Sequence, residues 1–105
     1  MKRKIFLSNP AQKDIERMIQ YIRLDKPMAA EKFKVLLKNK IKSLENFAER
    51  GRKVPELKGT LFENYRELII TPCRIIYKLH SKEVRILRVL HSKRIFSLFS
   101  TQGIT

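Results

Sequence analysis

Apolar and polar positions alternate in two distinct periods along this chain, and the change of period divides it. Lys4 to Ser8 reads as a short strand. Ser8-Asn9-Pro10 then makes a helix start, with Asn9 as the cap and Pro10 in the first helical position. Ile15, Met18, Ile19 and Ile22 follow at i, i+3, i+4 and i+7, one apolar stripe that predicts a helix ending near Leu24. Pro27 opens a second helix. Ala30, Phe33, Leu37, Ile41, Leu44 and Phe47, with Leu36 beside them, keep the helical period for about five turns. Lys32, Lys34, Lys38, Lys40 and Lys42 form its opposite, solvated face. Two adjacent amphipathic helices with a short link predict an antiparallel helical hairpin.

Gly51 ends the second helix, and residues 52–64, with Pro55 and Gly59, read as an ordered loop. The period then drops to that of strands. Tyr65 to Ile70 is the first, broken by Thr71-Pro72. Arg74 to Leu79 and Glu83 to Arg94 follow, rich in β-branched, aromatic and Leu residues and joined by a turn about His80-Ser81-Lys82. The order β-α-α-β-β-β defines an α+β fold over a single domain, residues 1–105. Three successive strands favour an antiparallel meander with the helical pair on one face, leaving the other face open and basic. The tail Ile95 to Phe99 is apolar and short enough for one small helix.

Charge changes this picture more than size does. The 105 residues are 43% hydrophobic, which fits a folded chain, yet Lys and Arg number 24 against 10 acids, a formal net charge of +14. Such an excess implies an anionic partner: nucleic acid, a membrane surface or an acidic protein. No apolar run approaches the roughly 18 residues of a membrane span, so no membrane partner is expected. The apolar run after Met1-Lys2-Arg3-Lys4 stops after three residues, too short for a signal peptide. The lone Cys73 excludes an internal disulfide, which fits a cytoplasmic protein.

Several chemistries drop out. No glycine-rich phosphate loop, nucleophile elbow, helix-turn-helix or zinc-finger spacing is present. One Cys and two His without clustered acids make no metal site, and no cofactor is expected. What remains is a set of cations within apolar strands. From Arg74 to Arg94 seven Lys or Arg stand against one acid, Glu83. Arg74 and Arg88 each need a partner there, and the acids nearby are Glu63, Glu67 and Glu83. Arg74 is expected to face an external anion; Arg88 reads equally as structural or functional. His91 lies opposite in phase to Arg88, so the two share a face only if a bulge intervenes.

The pattern Gly51-Arg52 … Pro55-Glu56-Leu57 … Tyr65-Arg66-Glu67-Leu68 … Arg74-Ile75-Ile76-Tyr77 … Ile86-Leu87-Arg88-Val89-Leu90-His91-Ser92-Lys93-Arg94 resembles the RelE/ParE superfamily of bacterial toxins over nearly the whole chain. The resemblance implies the toxin half of a type II toxin–antitoxin pair, neutralised by a cognate antitoxin that wraps it. RelE-like members cut messenger RNA on the ribosome; ParE-like members poison DNA gyrase. On the RelE-like pattern Arg74, His91 and Arg94 are the catalytic set. Arg66, Arg74, Arg88, Lys93 and Arg94 are the residues that would bind the target or nucleic acid on either pattern. RNA cleavage by the 2′-hydroxyl needs a base, an acid and cations on the phosphate. His91 suits proton transfer, and Arg74 and Arg94 suit phosphate oxygens. His91 reads equally as a hydrogen-bonded strand-end residue, and Glu56 as either a base or a loop ion pair. Two departures favour the gyrase branch: no Tyr follows Tyr77, and Leu68 stands where RelE has a second Lys. The ending from Val89 to Arg94 is also closer to the ParE-like one, so gyrase inhibition is the reading preferred over messenger-RNA cleavage, with a nucleic-acid-binding domain without toxicity as the further alternative.

Overall fold

Ser8 is the hinge on which strand gives way to helix. Its backbone is extended, closing strand β1 (Lys4–Leu7), and its Oγ accepts a hydrogen bond from the Ala11 N–H at 3.1 Å. That satisfies one of the orphan donors at the start of helix α1 (Asn9–Asp25). The cap therefore lies one residue before the predicted Asn9, which joins Pro10 in the first turn. Helix α2 (Pro27–Ser43) follows after a single residue, and the two helices form the expected hairpin. The computed structural model describes residues 2–91; Ser92 to Arg94, predicted to complete the last strand, and the Ile95–Phe99 tail lie outside them.

Helix α2 ends a turn earlier than its periodicity predicts. The N–H groups of Leu44 and Glu45 bond three residues back, to Ile41 and Lys42, which tightens the last turn. The tightening brings Leu44 and Ala48 into the core and leaves Phe47 67% exposed. A short 3-10 turn, Ala48–Arg50, leads to strand β2 (Arg52–Lys53), and a second, Pro55–Leu57, opens the long loop. The expected loop of 52–64 thus holds two short elements, and Gly59 takes its positive φ of 81° within it. Strands β3 (Arg66–Ile70), β4 (Cys73–Leu79) and β5 (Glu83–His91) form the predicted antiparallel meander. The sheet order is β1-β5-β4-β3-β2, with β1 parallel to β5.

The helix-facing core holds Leu37, Ile41, Leu44, Leu68, Ile75, Tyr77, Val84, Ile86 and Val89, with Ile15 and Met18 of the predicted stripe packed against it. Each such aliphatic side chain contributes about 1.5–3 kcal/mol on burial. Tyr77 anchors the crossing from α2 to β2: its hydroxyl accepts from the Gly51 N–H and donates to the Ala48 carbonyl. Only glycine fits there, because a Cβ at position 51 would fall onto the Tyr77 hydroxyl and the Glu67 carbonyl.

The other sheet face is not uniformly open and basic as the sequence suggested. Val54 and Leu57 of the loop pack with Ile76 and Leu90, flanked by Phe62 and Tyr65. This second small core covers the β3 side of the face. Loop residues at 54 and 57 are spaced for one exposed turn, not for a strand or long helix, so their apolar side chains gave no periodic signal.

Candidate functional site

Beneath the loop lies a buried charge cluster. Arg74 is 4% exposed, and its guanidinium serves two carboxylates: Nε donates to Glu67, while Nη1 and Nη2 each donate to Glu56 at 2.7 Å. Glu67 is fully buried and also accepts from Arg52 Nε at 2.7 Å. Neighbouring strands place these groups together, because Glu67 lies opposite both Arg52 and Ile76, and Arg74 is two residues from Ile76. The Arg74 hydrogen bonds hold the Glu56 carboxyl below its usual range. The same two carboxylates push the Arg74 pKa up. The expectation that Arg74 faces an external anion is therefore corrected: internal acids take that place, since an uncompensated guanidinium at this depth would be costly.

Arg88 is also paired from within. Its Nε and Nη2 donate to Asp14 of α1 at 2.7 and 2.8 Å, and the Val89 N–H donates to the same carboxylate. The pairing raises the Arg88 pKa. Asp14 escaped the sequence reading, though a signal was present: it lies three residues after Ala11 and beside Ile15, on the apolar stripe. An acid on the buried side of a helix needs a partner.

A bulge does interrupt β5, but before Arg88. Tyr77 pairs with Ile86 and Ile76 with Arg88, which leaves Leu87 as the extra residue. Beyond it the strand alternates regularly. His91 lies opposite Cys73, and Arg74 lies opposite Leu90. Paired residues share a face, so His91 and Arg74 fall on opposite sides of the sheet. Arg66 reaches the turn before β2, donating to the carbonyls of Gly51 at 2.7 Å and Glu49 at 3.4 Å. Lys93 and Arg94 lie outside the described residues. Among those residues, then, Arg74 joins Glu56 and Glu67, Arg88 joins Asp14, and His91 joins neither group. His80, in the β4–β5 turn, is half-buried. No group of His, Cys, Asp or Glu among the described residues is arranged to hold a metal ion. None of their helices is long and apolar enough to cross a membrane.

A second feature lies on the helix side. A groove of about 400 Å³ opens between β1 and the helical hairpin. Ile5, Leu7, Ile15, Ile19, Leu37 and Ile41 line it, and Lys34, Lys38 and Lys42 of α2 stand along it with Glu45. Part of the predicted lysine face thus borders an apolar channel.

This architecture is shared with solved toxins. The chromosomal ParDE toxin–antitoxin system from P. aeruginosa matches at 19% identity and a TM-score of 0.71, covering 88% of this chain and 98% of that one. The RelBE2 toxin–antitoxin complex from Mycobacterium tuberculosis matches at 15% and 0.60, over 87% and 99% of the two chains. The DinJ–YafQ toxin–antitoxin complex from E. coli matches at 25% and 0.54, over 91% and 99%. No curated protein sequence matches. The fold is thus that of the RelE/ParE superfamily. Residues 5–96 match the model for the ParE toxin of the type II toxin–antitoxin system parDE, and the chain belongs to that family of toxins.

Proposed function

We propose that this toxin arrests growth by binding DNA gyrase, and that a cognate antitoxin silences it by occupying the groove beside β1. The observation that carries the gyrase branch is the state of Arg74. A phosphate-stabilising guanidinium must present its donors to the substrate. Here Arg74 is buried with Glu56 and Glu67, and His91 stands across the sheet. A gyrase poison needs no bond-breaking group of its own, so a surface suffices. The antitoxin reading is supported by the lining of the groove: its aliphatic walls suit the apolar stripe of a helix, and its lysines suit acidic flanks. The ParDE, RelBE2 and DinJ–YafQ structures are each described as toxin–antitoxin assemblies.

The experiment is expression of wild type, His91→Ala and Arg74→Lys without antitoxin, followed by colony counts and mapping of RNA 5′ ends. All three should arrest growth and leave transcripts intact. Cuts in the wild type that vanish in His91→Ala would replace this reading with an RNA nuclease, because proton transfer is worth about 10²–10⁴ in rate.

A further inference from the structure

Among the described residues every cation buried in the sheet has an internal acid, whereas one exposed row keeps donors to spare: Arg85 is paired with Glu83 through Nε alone, and Lys78 is in no ion pair. Phe6 of β1, Arg85 of β5 and Lys78 of β4 stand side by side across three strands. They occupy the outer face, on the half that the 54–65 loop leaves uncovered. Phe6 is 43% exposed, and the Arg85 guanidinium lies over its ring, 5.3 Å from the centroid. Arg85 Nε is fixed by Glu83 at 2.7 Å, and among the described residues its terminal nitrogens have no acceptor. Lys78 is exposed and lies directly opposite Arg85. Like charges placed opposite each other on adjacent strands are destabilising, so the row invites an anion. It also carries an aromatic face that this anion would meet.

We infer that the Phe6–Arg85–Lys78 row is a platform for single-stranded nucleic acid. An unpaired base stacks on Phe6 against the guanidinium, and Arg85 and Lys78 hold the flanking phosphates. A flat aromatic on a sheet serves unstacked bases, which a duplex does not offer. The net charge of +14 supplies long-range attraction, while the row supplies the place. The inference goes beyond the gyrase reading and does not depend on it.

The test is fluorescence anisotropy of a labelled twelve-nucleotide oligothymidine with the full-length protein across a salt series. The wild type should bind the single strand more tightly than a duplex of equal length. Phe6→Leu should weaken binding about tenfold through lost stacking. Lys78→Ala with Arg85→Ala should weaken it and reduce the slope of log K against log salt by about 1.4, two contacts at 0.7 each. Lys32→Ala with Lys40→Ala, which removes equal charge from α2 away from the groove, should leave binding unchanged. Thermal unfolding confirms each variant is folded, and Phe6→Ile replaces Phe6→Leu if that variant is not. An unchanged affinity in the Phe6 variant overturns the proposal, as does an equal loss in the α2 pair or tighter binding of the duplex. The readout contains neither gyrase nor ribosome, so its failure leaves the growth-arrest reading standing.

Discussion

The two halves of the outer sheet face carry the same residue types and use them in opposite ways. On the β3 side, Arg74 and Arg52 share Glu67, Glu56 seals the guanidinium from above, and the loop covers the cluster with Val54, Leu57 and Phe62. On the β1 side, Lys78 faces Arg85 with no loop above them, and Phe6 lies beside them. The difference is one of dielectric. A cation removed from water must be neutralised within the fold, whereas a cation at the surface is solvated and stays available. The number of cations in a strand therefore says little about where a partner binds; how many of their donors internal acids leave unused says more.

The largest effect should come from breaking the buried side of this comparison. Arg74→Ala leaves Glu67 buried with only the exposed Arg52 beside it, and should cost about 3–5 kcal/mol in urea unfolding. A loss below about 1 kcal/mol would show that the cluster is already hydrated. Leu37→Ala, in the helix-facing core, sets the scale for an apolar deletion at about 2–5 kcal/mol. Gly51→Ala should cost about 1–3 kcal/mol by overpacking against Tyr77. Lys78→Thr should act in the other direction, stabilising by about 0.2–1 kcal/mol as the like-charge pair with Arg85 disappears. Destabilisation by Lys78→Thr would mean that the row is held together internally.

Acid should separate the halves as well. The Glu56 carboxyl is depressed in the folded protein by Arg74, so it contributes stability above its unfolded pKa of about 4.3. That contribution is lost as pH falls through the lower folded value. Glu56→Gln should flatten the stability profile below about pH 4, with little change near neutrality in its slope. An unchanged acid limb in Glu56→Gln would place the acid sensitivity elsewhere.

The fold was legible where one periodic pattern decided the outcome. The Ile15–Ile22 stripe, the Leu37–Leu44 stripe and the meander of β3 to β5 follow from spacing alone. The family resemblance rested on the same stretches. Tertiary contacts decided the rest. Phe47 fits the period of α2 but is released when the last turn tightens. Val54 and Leu57 cover a face that alternation marked as open. The partners of Arg74 and Arg88 were hidden for a related reason. Glu56 is 18 residues from Arg74, and Asp14 is 74 from Arg88. A search for acids near each cation in sequence found Glu67 and missed Asp14, while Glu56 was read as a base or a loop ion pair without its partner being named. The Phe6–Arg85–Lys78 row was hidden too, because the parallel register of β1 against β5 is not written in either strand.

The most direct test of the central claim is a supercoiling assay with purified gyrase and relaxed plasmid. The protein should inhibit supercoiling, and His91→Ala should inhibit it equally if it is folded. Undiminished supercoiling at toxin concentrations well above those of gyrase, with transcripts cut in cells expressing the same chain, would contradict the account.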